Sequence, residues 1–213
     1  MTRPPPAQRI RREYAAHAAE YDRRWAKYVE RSLALLRPFL AGAAPGEVLD
    51  LGCGTAGLLP RLRAWDVRLS RYVGVDFAPE MLAAGRERLP GALGAAALAA
   101  GAAEALPLRD ASFDTVVSAS SLHYWEAPRR VLAEVRRVLR PGGRLVLLDW
   151  SRDPPAMKLL HAAMRLARVR YRRMYSRAEA AALLEEAGFR VARRGGGSAG
   201  GLWRLMVLEA FSP

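Results

Sequence analysis

The sequence predicts an α/β chain: a doubly wound, seven-stranded sheet, mostly parallel with one antiparallel C-terminal strand, and an N-terminal helical cap. Three observations carry this. Short apolar runs of strand length alternate with helix-length segments through most of the chain. A strand end, a glycine turn and a helix follow one another within residues 48–64. Two β segments at the C-terminal end, separated by glycines, form a closing hairpin.

The elements follow in order. Residues 8–40 read as helix, because little Gly or Pro interrupts them before Pro38 and Leu33, Leu36 and Leu40 recur at helical spacing. Tyr14, Tyr21, Trp25 and Tyr28 give that helix an aromatic face. Residues 1–40 are thus a cap on a core of residues 46–213, and the chain is expected to form a single domain. Residues 41–46, with two glycines and Pro45, link cap to sheet. Val48 and Leu49 belong to the first strand, and residues 58–64 to the helix after the glycine turn. Residues 72–75 form a second strand ending at Asp76, and Pro79 opens a helix to about Leu89. The third strand, within residues 95–100, rests on the βα rhythm, since its alanines favour helix intrinsically.

Residues 113–119 are the fourth strand. The helix of residues 128–139 carries the apolar stripe Val131, Val135, Val138 and Leu139, and Pro141-Gly142-Gly143 ends it. Residues 144–149 are the fifth strand, with an apolar run at 145–148 of the buried parallel type. Pro154 and Pro155 open a lid helix over residues 154–171. Ser176 and Glu179 form a capping box for the next helix, closed by Gly188. Residues 189–194 are a sixth strand, 195–201 a flexible glycine-rich loop and 202–211 the last strand.

Composition narrows the function classes. No apolar run approaches the roughly 20 residues of a membrane span, and the first residues lack the apolar core of a signal peptide. Cys53 is the sole cysteine, which rules out an intrachain disulfide and a multi-cysteine metal site. A cytoplasmic location is expected. The formal charge of +13 invites a polyanion partner. However, all the basic residues except Lys27 and Lys158 are arginines, so a coding bias toward Arg and Ala explains the charge as well as a selected basic surface does.

The glycine turn carries the chemistry. Gly52, Gly54 and Gly57 form a G-x-G-x-x-G pattern between strand and helix, the nucleotide site at the first crossover of a Rossmann-like sheet. Asp50 precedes it. A dinucleotide brings a pyrophosphate to this turn, which an adjacent carboxylate repels. S-adenosylmethionine carries ammonium and sulfonium charges, which a carboxylate attracts. Asp76, at the end of the second strand, suits a ribose diol in either kind of ligand.

The chain resembles the class I S-adenosylmethionine-dependent methyltransferases, nearest the small quinone-biosynthesis C-methyltransferases and phospholipid N-methyltransferases. The resemblance rests on residues 48–55 (VLDLGCGT), 74–82 (GVDFAPEML), 103–108 (AEALPL), 112–114 (SFD) and 139–143 (LRPGG), at family spacing. It implies that Gly52, Cys53 and Gly54 approach the methionine part of the cofactor, with Asp50 near its ammonium group and Asp76 on the ribose. It further implies that Phe77 and Met81 line the adenine pocket beside Ala102, Ala103 and Glu104. Ser118 and Ala119, with Ser120, would face the sulfonium, and Tyr21 would close over the cofactor. The family usually has Asp where this chain has Ala102. That loss removes a hydrogen bond to the adenine amino group, worth about 1–3 kcal/mol if the partner stays unpaired. S-adenosylhomocysteine is the implied product.

The acceptor is expected beside residues 121–125, just beyond the fourth strand. His123 is the candidate proton acceptor, and Tyr124, Trp125, Trp25 and Trp150 are candidates for an apolar or amine-holding wall. Packing of His123 within its loop is an equally open reading. His17 and His161 have no companions at metal-ligand spacing, so no metal is expected. The Asn/Asp-Pro-Pro-aromatic signature of nucleic-acid amino-methyltransferases is missing after the fourth strand, and Cys53 sits where it cannot attack a cytosine. A nucleic-acid partner is therefore disfavoured. In the lid helix Lys158, His161, Arg165, Arg168 and Arg172 form one stripe and Leu160, Met164, Ala167 and Tyr171 the other, which suits a charged lid or weak association with an anionic membrane. The expected activity is methyl transfer to a small-molecule or lipid-like acceptor. A non-catalytic cofactor-binding protein, an RNA methyltransferase and an NAD-dependent oxidoreductase remain alternatives.

Overall fold

The computed structural model describes residues 6–41, 46–88, 96–167, 169, 171 and 173–213. Linker residues 42–45, position 89, and Arg168 and Arg172 of the basic stripe lie outside them. Helix α1 (Pro6–Ala34) and the short α2 (Arg37–Leu40) lead into β1 (Gly46–Leu51), α3 (Leu58–Ala64), β2 (Leu69–Asp76), α4 (Pro79–Arg88) and β3 (Ala96–Ala100). Then come β4 (Phe113–Ala119), a 3₁₀ turn at Leu122–Tyr124, α5 (Pro128–Val138), β5 (Leu139–Trp150), α6 (Pro155–Leu166), α7 (Arg177–Glu186), β6 (Arg190–Gly200) and β7 (Trp203–Phe211). The sheet order is β3-β2-β1-β4-β5-β7-β6. The β1–β2, β1–β4, β2–β3 and β4–β5 pairs are parallel. Strand β7 runs antiparallel to both of its neighbours, β5 and β6.

Strand alternation explains the layers. Leu49 and Leu51 of β1, Val116 of β4, Leu145 and Leu147 of β5, and Met206 and Leu208 of β7 pack on the face covered by α5 and α7. Their neighbours Val48, Val117, Val146, Leu148, Leu205 and Val207 pack on the other face with α2, α3 and Met157 of α6. Central strands buried on both faces carry near-continuous apolar runs, as residues 48–49, 116–117 and 145–148 do. Ser176 caps α7 with the expected reciprocal bonds to Glu179.

The cap is helical as expected, but broken after Ala34. Pro38 cannot donate the backbone bond that would continue α1, and it starts α2 instead. Leu33, Leu36 and Leu40 are all buried.

Three elements depart from expectation. Strand β5 begins at Leu139, taking in the Pro141-Gly142-Gly143 stretch expected to close the helix. Residues 195–201 are not a loop: β6 continues through Gly200, with Gly195, Gly196 and Gly197 paired to Val207, Met206 and Leu205. The glycines serve close packing, since a Cβ on Gly195 would lie 2.8 Å from the Phe39 ring and one on Gly197 2.6 Å from Leu35. The lid helix ends at Leu166 rather than Tyr171. There the chain turns back, Val169 N–H bonding the Met164 carbonyl and the Tyr171 hydroxyl meeting His161 Nδ1 at 2.6 Å. Among the described residues, no helix is long and apolar enough to cross a membrane.

Candidate active site

The strand order reverses between β1 and β4, which opens a crevice at their C-terminal ends. The glycine turn fills its floor. Gly52 and Cys53 both donate backbone bonds to the Val75 carbonyl, at 2.8 and 3.1 Å, so β2 pins the turn. Gly52 has φ +75°, and a Cβ there would lie 2.8 Å from the Ser121 Cβ. Only glycine satisfies both the dihedral and the contact.

Two carboxylates face the crevice from the strand ends. Asp76 accepts the Gly54 amide on Oδ2 and the Ala78 amide on Oδ1, both at 2.9 Å, which fixes its plane. Burial pushes its pKa up, and these backbone donors oppose the shift. Asp50, 2% exposed, accepts the Tyr72 hydroxyl at 2.6 Å. Burial raises its pKa to about 7, against the pull of Tyr72. Among the described residues, no Lys, Arg or His lines the cavity around it. Burial likewise keeps Cys53 a thiol.

The cavity these groups enclose has a volume of about 250 Å³. Three side-chain bonds hold α1 across its mouth. Tyr14 donates to the Tyr124 hydroxyl at 3.1 Å, Thr55 to Asp22 at 2.8 Å, and Tyr28 shares a 3.0 Å bond with Ser120 Oγ. Tyr28 also accepts from Trp150 Nε1 at 2.8 Å. Ser120 sits at φ +57°, a strained value for a residue with a side chain. Burial keeps the phenols of Tyr14, Tyr21 and Tyr28 protonated, raising all three pKa values.

Most residues expected at the site meet there. Tyr21, Asp50, Gly52, Cys53, Gly54, Asp76, Phe77, Met81, Ala102, Ala103, Glu104 and Ala119 all line the cavity, as do Tyr124 and Trp125. Ser118 does not: it is fully buried, bonding the Leu51 carbonyl at 3.0 Å and Ser121 Oγ at 2.6 Å.

His123, the candidate proton acceptor, is 1% exposed and is not part of the cavity wall. Its Nδ1 meets Asp149 at 2.7 Å, its ring stacks on Trp150 at 3.7 Å, and its buried Nε2 has no polar partner. It therefore reaches no cavity ligand in this conformation. Trp150 is buried and Trp25 is 38% exposed, and neither lines the cavity. Among its described residues, α6 contributes no lining side chain either, so it does not cover the pocket as expected.

Sequence reasoning did not assign Tyr14, Tyr28, Ser32 or Thr55 to the site, though all four line it. A signal existed for two of them. Tyr14, Tyr21 and Tyr28 recur every seven residues, which places three phenols on one helix face. No local pattern marks Ser32 or Thr55.

A switch-point crevice with a glycine turn and a carboxylate at the end of β2 defines a Rossmann-like protein with a nucleoside-type site. Residues 49–147 match the family described as a methyltransferase domain. The malonyl-[acyl-carrier protein] O-methyltransferase of Geobacter sulfurreducens is 35% identical over 193 residues, covering 86% of this chain and 70% of that protein. The chain belongs to the S-adenosylmethionine-dependent methyltransferases. An uncharacterized methyltransferase of Mycobacterium tuberculosis is 41% identical over 142 residues, which are 66% of this chain and 53% of the relative. The chain thus spans about half the length of that relative. The demethylmenaquinone methyltransferase of Deinococcus radiodurans is 40% identical over 125 residues, 58% of this chain and 50% of that one. In fold, the chain is similar to one in the complex between the Haloferax volcanii Trm112 methyltransferase activator and a methyltransferase. That pair has a TM-score of 0.82 at 20% identity, covering 96% of this chain and 97% of that chain.

Proposed function

We propose that the chain transfers the methyl group of S-adenosylmethionine by in-line displacement to a small-molecule or lipid-like acceptor. The observation that carries this is Asp50: a buried carboxylate at the glycine turn with Tyr72 as its hydrogen-bond partner and, among the described residues, no cation lining the cavity beside it. A buried charge without a counter-ion is costly, and a cationic ligand relieves that cost. The donor set fits the cofactor, which when bound supplies an electrophilic methyl group.

Asp76, oriented by two backbone amides, keeps lone pairs for a ribose diol. Phe77 and Met81 offer apolar walls for the base, with the Ala103 backbone and Glu104 at its edge. Ala102 brings no carboxylate there. Tyr21 and the bonds of α1 exclude water, which strengthens alignment and the local field. Ser118 acts through Ser121 and Leu51. His123 acts through Trp150, which holds Tyr28 and hence Ser120. Leu159 and Leu166 of α6, exposed beside Lys158 and Arg165, favour weak association with an anionic membrane.

The test is a transfer assay. Purified protein with methyl-labelled cofactor is offered lipid, quinone and small-amine fractions, and label is expected to enter one of them. Cofactor binding with no transfer to any fraction would favour the non-catalytic reading.

A further inference from the structure

We infer that the acceptor seat of this cavity is built for nitrogen: the substrate is an amine that becomes a cation when methylated. This rests on the methyl-transfer reading above and narrows it. Beyond β4, Tyr124 and Trp125 line the cavity, and Tyr14 of α1 joins them from the cap, next to the cofactor-side rings of Tyr21 and Phe77. The Tyr14 ring lies 5.8 Å from both Tyr21 and Tyr124 and 6.3 Å from Phe77, with Tyr124 perpendicular to it. Trp125 closes the same side. Such faces attract an ammonium group.

The charges in the cavity point the same way. Asp50, Asp76 and Glu104 line it, and among the described residues no Lys, Arg or His does, although the chain holds 34 Lys and Arg. S-adenosylmethionine brings a single net positive charge to this carboxylate-lined cavity, and its ammonium group favours the ionised form of Asp50. An amine bound as its ammonium first releases one N–H proton to water; the freed lone pair then forms the new N–C bond as the C–S bond breaks, and that bonding pair stays on sulfur. The positive charge moves from sulfur to nitrogen and remains among the lining carboxylates. A primary or secondary amine then releases its N–H proton to water. No cavity base is required, in keeping with the burial of His123. A carboxylate or phenolate acceptor would have to enter against like charge, with no lining cation among the described residues to receive it.

Binding to the protein loaded with S-adenosylhomocysteine tests this without turnover, using probes matched in shape: phenethylamine (protonated at neutral pH), 2-phenylethanol and phenylacetate. Calorimetry is expected to rank the amine about tenfold or more ahead of both others. Tyr124→Leu should weaken the amine by about three- to tenfold and the alcohol by less than twofold, whereas Tyr124→Phe, which keeps the ring face, should retain the amine. Equal affinities for amine and alcohol, a preference for phenylacetate, no amine binding, or equal losses in Tyr124→Leu would each overturn the inference while leaving cofactor binding intact. Failure of S-adenosylhomocysteine itself to bind would instead overturn the methyl-transfer reading on which it rests.

Discussion

Replacing Asp50 with asparagine should stabilise the ligand-free protein and cripple it as a cofactor binder. The carboxylate is 2% exposed, and burial lifts its pKa from 3.8 to about 7. In the unfolded chain it ionises near its ordinary value, while in the fold it keeps its proton until about pH 7. The folded state thus binds more protons across that window, and stability contributed by this group falls as pH rises through it. Each pH unit between the two values is worth about 1.36 kcal/mol, so the interval sets a ceiling of about 4 kcal/mol, and water entering the crevice lowers it toward about 2. The asparagine amide oxygen still accepts the Tyr72 hydroxyl but has no charge to bury. Urea denaturation of both proteins at pH 8 and pH 5 is the assay. The variant should be the more stable at pH 8 by about 2–4 kcal/mol, with a gap smaller by about 1–3 kcal/mol at pH 5. Groups shared by the two proteins cancel in that difference. Parallel stability curves would refute the reasoning, because they would mean Asp50 ionises alike in both states.

Other substitutions probe the remaining parts. Gly52→Ala forces a side chain into φ +75° and 2.8 Å from the Ser121 Cβ, so a thermal melt should show a loss of about 1–3 kcal/mol. His123→Ala removes a buried ring stacked on Trp150 and bonded to Asp149, and should cost about 3 kcal/mol in denaturant titrations while leaving S-adenosylhomocysteine affinity within about threefold. Unchanged stability with lost turnover would restore His123 as a direct participant. Ser176→Ala breaks the capping box of α7 and should cost about 1 kcal/mol, measured the same way.

Much of the fold was legible because its signals are local. The apolar runs of β1, β4 and β5, the glycine turn and the Ser176–Glu179 box each declare themselves within a few residues. The glycines of β6 misled because their cause is distant: they admit Phe39 and Leu35, which lie far away in sequence. Likewise, α6 ends where Tyr171 folds back on His161, and no Gly or Pro near Leu166 announces it. At the site, strand ends and the turn could be assigned from the sequence because sheet topology brings them together. The depth of His123 could not, since its loop position is equally compatible with facing the crevice or stacking behind it on Trp150. Its burial depends on Asp149 at the end of β5, a contact with no sequence signature.

The most direct measurement is calorimetric titration of S-adenosylhomocysteine into the wild-type chain and Asp76→Ala, with NADH titrated into the wild type in parallel. Saturable binding to the wild type, a loss of about tenfold or more in the variant, and no heat from NADH are the expected results. Preferential uptake of NADH, or equal affinity of both proteins for the homocysteine nucleoside, would contradict the assignment of this crevice.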